Sequence, residues 1–100
     1  MNDYLLLMHD DARDTAMAGD AGLWERYLEA RRAMGGFDGG SSIGGGALFS
    51  KGAAPVPVHG GASGFLRVRA GSLDEAARFL AGNPVFEAGG TVEIRELPKD

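Results

Sequence analysis

The run Tyr4–Leu5–Leu6–Leu7–Met8 places five large apolar side chains together before His9 and the acidic pair Asp10–Asp11. It is too short for a stable helix and reads as a strand. Alternation sends Leu5 and Leu7 to one face and Tyr4, Leu6 and Met8 to the other, so both faces of this strand need cover. A layer of helices covers one face of a sheet. A chain of 100 residues buries only about two-thirds of its unfolded surface, so the second cover is expected from another copy of the chain. This reading gives the side of Tyr4, Leu6 and Met8 to that partner.

Downstream the period changes. Leu23, Tyr27, Ala30 and Met34 fall at helical spacing, with Trp24 and Leu28 widening the apolar stripe. Asp20 suits the N-cap of this helix, and Gly35–Gly36 suit its termination. Seven of the twelve residues from 35 to 46 are glycine, which reads as a bulged edge strand or loop. Segments 47–50 and 56–59 pair as a hairpin around residues 51–55, with Pro55 and Pro57 confining the second arm to an edge. Residues 64–69 alternate as a strand, with Leu66 and Val68 on one face and Phe65, Arg67 and Arg69 on the other. Ser72 and Glu75 form a capping box for a second helix carrying Leu73, Ala76, Ala77 and Leu80 on one stripe and stopped by Gly82–Asn83–Pro84. Residues 91–97 close the chain as a strand with Val92 and Ile94 inward. The order is an α+β, ferredoxin-like βαββαβ with an extra hairpin and an antiparallel sheet.

Composition removes several classes of function. Ten Lys and Arg against fourteen Asp and Glu give a net charge of −4, and no basic cluster stands ready to neutralise phosphates; nucleic acid is not an expected partner. The chain has no cysteine, which excludes a thiolate nucleophile, a disulfide framework, a Cys-ligated zinc and an iron–sulfur cluster. The longest apolar run is far below the roughly twenty residues of a membrane span and lacks a basic flank. A cytoplasmic protein away from membranes is expected. No phosphate-binding glycine pattern surrounds Lys51 or residues 44–46.

Tyr4–Leu5–Leu6–Leu7–Met8–His9–Asp10, the Trp24-x-x-Tyr27–Leu28 helix ending in glycine, Gly39–Gly40-x-x-Ile43, Gly64–Phe65, Ser72–Leu73–Asp74–Glu75–Ala76 and Gly90–Thr91–Val92–Glu93–Ile94–Arg95 follow one another in a telling order. Over nearly its whole length the chain resembles the YCII-related family, also called the DGPF family. The resemblance implies one domain over residues 1–100 and a homodimeric ferredoxin-like α/β barrel with a cleft between sheet and loops. A few family members look like small lyases or hydrolases, and others are linked to transcription regulators. Two departures stand out. The naming motif is replaced by His59–Gly60–Gly61–Ala62, and Trp24 occupies the position of a histidine proposed as catalytic in the YCII branch.

The residues themselves offer a few chemical candidates. His9 and Asp10, at the C-terminal end of the first strand, are expected as acid–base residues, although neighbours on a strand point to opposite faces. His59, set beside glycines, is the third catalytic candidate. Arg67 and Arg69 share one face of their strand, where a guanidinium could hold a ligand carboxylate at the subunit junction, Arg67 being the ligand-binding candidate, or pair with Glu93 or Glu96 across the sheet. Trp24 and Ser42 are candidate ligand contacts; Trp24 also suits packing, together with Tyr27 and Phe37. Ser41 and Ser42 lack the context of an activated nucleophile. His9, His59, Asp10 and Asp38 have the right types for a metal but not the spacing, so neither a metal nor a cofactor is expected. The reading is a homodimer binding a small polar or anionic organic molecule, with lyase- or hydrolase-type proton transfer; the alternative is a non-catalytic interaction module.

Overall fold

The structure is a computed structural model and describes residues 1–99. Its elements are β1 (Asn2–His9), α1 (Thr15–Ala18), α2 (Ala21–Met34), β2 (Phe37–Ser42), β3 (Ala47–Leu48), β4 (Val56–Pro57), β5 (Ala62–Ala70), α3 (Leu73–Ala76), α4 (Pro84–Glu87) and β6 (Val92–Leu97). A 3₁₀ turn at Ala77–Leu80 joins α3 to the segment before α4. Four strands form an antiparallel sheet in the order β2-β5-β1-β6, and β3 pairs with β4 alone. With that hairpin set aside, the order is ferredoxin-like.

Register decides which residues share a face. Leu6 lies opposite Leu66 on β5 and Ile94 on β6, and Met8 opposite Gly64 and Val92. This face carries the core: Tyr4, Leu6 and Met8 are 3%, 0% and 3% exposed and cluster with Leu66, Val68, Tyr27 and Phe79. The sequence reading gave the side of Tyr4, Leu6 and Met8 to a partner, and here it is corrected. The chain's own helices bury it, and the bare side is that of Leu5 and Leu7, with Phe65, Arg67, Arg69, Glu93 and Arg95 beside them in register. Both faces of β1 are apolar, so the pattern alone could not say which one the helices choose.

The helices also show where local signals mislead. Asp20 caps α2 by accepting from Leu23 N at 2.9 Å, and Gly35 ends it at φ +78°, as expected. Contact with the sheet runs through Trp24, Tyr27 and Leu28, while Ala30 and Met34 of the expected stripe are exposed. Ser72 caps α3 through Glu75 N at 3.1 Å. Glu75, however, reaches back to Gly71 N rather than Ser72 N. The single turn of α3 then tightens to 3₁₀ geometry; Ala76 and Phe79, three residues apart, are buried, and Leu73 at the start of the turn is exposed. Gly82–Asn83–Pro84 is a stop and also a start. Asn83 caps α4 through Val85 N and Phe86 N, with Pro84 at its first turn.

Beyond β2 the chain leaves the body. Ile43 N still bonds Ser63 O, after which residues 44–60 run out as an arm ending in the β3–β4 hairpin. The radius of gyration is 14.7 Å, against about 13 Å for a compact chain of this length.

Candidate functional site

The glycines of β2 and β5 make room for a pocket. At Gly40 a Cβ would sit 2.2 Å from Phe65 O, and at Gly64 it would sit 2.9 Å from Met8 Cε. Without those side chains β2 lies close on β5, and a hollow of about 690 Å³ remains between α2 and this edge of the sheet. That volume suits a small organic ligand. Trp24, Leu28 and Phe37 supply apolar walls, Ser41, Ser42 and Ser63 supply polar groups, and Arg32 is the charged residue among the lining residues.

The walls are held in place. Trp24 donates its indole N–H to Ala18 O at 2.7 Å and stands edge-on to Tyr27, with ring centroids 5.7 Å apart. Tyr27 donates its hydroxyl to Phe79 O, and burial pushes its pKa up. The Arg32 guanidinium lies 6.0 Å from the centre of the Phe37 ring. Such a hollow favours a flat apolar or aromatic body carrying a negative or electron-rich group towards Arg32.

A second hollow of about 200 Å³ shares Ala18, Gly19, Ser63 and Val85 with the first and is also lined by His9 and Asp10. His9 Nε2 is 2.9 Å from Glu93 Oε1, and Arg95 Nη1 is 3.0 Å from Glu93 Oε2. These bonds, that from His9 foremost, hold the Glu93 carboxyl below its ordinary pKa. Glu93 thus engages the His9 ring through Nε2 and orients it. Asp10 is exposed, whereas the neighbouring Asp11 accepts from Thr91 N at 2.8 Å and Thr91 Oγ1 at 2.7 Å, which lowers its pKa and ties the loop after β1 to the start of β6.

Trp24 and Ser42 therefore come together at the larger hollow, and His9 with Asp10 at the smaller. His59 and Arg67 line neither; His59 is exposed on the arm and Arg67 on the helix-free face. The expected pairing of Arg67 or Arg69 with Glu93 or Glu96 does not form. Arg69 does make a cross-strand pair, but with Asp38 of β2: its Nε lies 2.9 Å from Asp38 Oδ2, which raises its pKa. Glu93 is occupied by His9 and Arg95. Sequence reasoning passed over Arg32, although it follows Trp24 and Leu28 at intervals of four on the same side of α2. Among the described residues no group of three His, Asp or Glu side chains gathers as a metal centre, and no helix is long and apolar enough to cross a membrane.

No protein-family model matches the chain. No curated protein matches it either. Among solved structures, it is similar to the 5-chloro-2-hydroxyhydroquinone dehydrochlorinase of Burkholderia phenoliruptrix, determined in complex with 2,5-dihydroxybenzoquinone. The TM-score is 0.58 at 18% identity, over 98% of this chain and 95% of that one. The likeness is one of fold.

Proposed function

We propose that this chain is a YCII-related, homodimeric protein that binds a small ring-shaped organic molecule, with a hydroxyl or anionic group, in the hollow between α2 and the β2–β5 edge. One observation carries the reading: the volume of about 690 Å³ is walled by Trp24, Leu28 and Phe37, with Ser42 and the cation of Arg32 on its lining. The similar fold of a dehydrochlorinase that holds a dihydroxybenzoquinone supports a ligand of this size and kind. The order of the family-like motifs supports it independently.

Lyase-type chemistry here would fall to His9. His9 lines the adjoining smaller hollow, so a ligand must extend past the shared residues Ala18, Gly19, Ser63 and Val85 to meet it; there the imidazole takes a proton from the ligand, the electrons of the broken bond form a double bond as a leaving anion departs, and the imidazolium returns the proton to water. Asp10, beside it on the smaller hollow, is the second proton carrier. Arg67 and His59 act at the junction with the second copy. The competing reading, binding without turnover, rests on the large hollow having neither imidazole nor carboxylate among its lining residues.

Trp24 is the chain's one tryptophan, so its fluorescence reports directly on the hollow. Titration with 2,5-dihydroxybenzoquinone is expected to quench it saturably, beyond the linear quenching of free N-acetyltryptophanamide. Linear quenching alone sinks the proposal. Ligand turnover that survives in His9→Gln removes the role of His9, and binding without any turnover selects the competing reading.

A further inference from the structure

Residues 44–60 form an arm with little to hold it up beyond the bonds at its root, Ile43 N to Ser63 O and Asp10 N to Gly61 O. Its two strands pair over two residues each, Val58 N reaches Gly46 O at 3.0 Å, and a Cβ built on Gly44, Gly45, Gly46, Gly52, Gly60 or Gly61 meets nothing within 4 Å. An isolated two-stranded hairpin is marginal in water. This one also exposes Ile43, Leu48, Phe49, Val56 and Val58, with Phe49 79% and Leu48 60% accessible. A concentration of apolar surface on so small a projection marks a contact site.

Chemistry argues for what covers it. The helix-free face of the sheet is only four strands wide and carries Arg67, Arg69, Glu93 and Arg95 among its apolar side chains, whereas the buried centre of a stable interface is depleted of charge. The face by itself is a poor seal. β2 and β5 form half of that face and run directly into the arm, so the arm's apolar side chains project from the same edge of the sheet. Lys51 is the arm's one Lys or Arg, too little charge for a nucleic-acid partner.

We infer that the arm is a dimer clasp: it crosses to a second copy of this chain and lays Leu48 and Phe49 against it, supplying the contact that the sheet face lacks. The inference rests on the homodimer proposed above and names the segment that secures it. Its symmetry is two-fold, each copy giving and receiving one arm.

Sedimentation equilibrium of the full chain tests this with the Leu48→Glu/Phe49→Glu double variant, whose exposed positions leave the single-chain fold intact. The wild type is expected to dimerise at micromolar concentration, and the variant to dissociate at least about 100-fold more readily. A wild-type dimer with a variant constant within about threefold overturns the clasp while leaving the dimer standing; a monomeric wild type removes both. Because the chain has no cysteine, Phe49→Cys can carry a benzophenone photo-crosslinker on mixed ¹⁴N and ¹⁵N chains. Cross-linked peptides of mixed isotope are expected. Cross-links confined to one chain mean that the arm folds onto its own body, which also contradicts the clasp.

Discussion

Leu6 and Leu7 are neighbours in sequence and opposites in circumstance. Leu6 is fully buried between Leu66 and Ile94, under helices of its own chain. Leu7 lies between Phe65 and Glu93 on the open face and is only partly covered. The covered face is finished within one chain, and its edge leaves a walled hollow. The open face mixes apolar side chains with arginines and carboxylates. One face builds the hollow; the other is the face that the proposed second copy would cover.

Truncation should separate the two faces most strongly. Leu6→Ala is expected to lower unfolding stability by about 2–5 kcal/mol at every protein concentration, as for a fully buried leucine. Leu7→Ala should cost about 1 kcal/mol in dilute protein and, through the proposed dimer, more as concentration rises, since such an interface is stabilised by mass action. Urea unfolding at two concentrations checks the pair, and equal, concentration-independent losses would erase the contrast.

At the hollow, Gly40→Ala forces a methyl against Phe65 O and Leu66, so β2 must move off β5. A loss of about 1–3 kcal/mol is expected, with ligand affinity falling more than tenfold by fluorescence titration. A smaller effect is expected from Arg32→Gln. Removing this cation should weaken an anionic ligand about tenfold, equivalent to about 1.4 kcal/mol, and leave a neutral analogue nearly unaffected. Thermal denaturation should be unchanged, since Arg32 is exposed.

The smallest effect lies in the acid limb. Hydrogen bonds from His9 and then Arg95 keep Glu93 ionised to lower pH than in the unfolded chain, and those from Thr91 do the same for Asp11. As acid is added the unfolded chain takes up these protons first. The contribution is complete above the ordinary carboxylate range and is lost as pH falls through the lowered folded values. Glu93→Gln should flatten this slope modestly, because the pair is solvent-screened; an unchanged slope in urea midpoints between neutral pH and about pH 3 would show that Glu93 takes no part.

Much of the fold was legible because the deciding signals are local. Asp20, Gly35, Ser72 and the alternation of residues 64–69 each carry their own geometry in one or two side chains. Asn83–Pro84 was half read, since an Asn-Pro pair closes one segment and opens the next with the same atoms. Asp14 accepts from Met17 N to start the four-residue α1, too short a helix for its period to stand out. The candidate site was less legible. Trp24, Ser42, His9 and Asp10 were singled out, yet the hollow depends on Gly40, Gly64 and Arg32, whose roles arise from strand spacing and from which side of α2 faces the sheet. Such relations join residues far apart in sequence and leave no local mark.

The most direct test of the functional claim is an amide and indole NMR titration of ¹⁵N-labelled protein with 2,5-dihydroxybenzoquinone. The account predicts saturable shifts at the Trp24 indole and at the amides of Gly40, Ser42 and Gly64, with Arg67 and Leu5 little changed. Shifts centred on the helix-free face, or none at any accessible concentration, would contradict it.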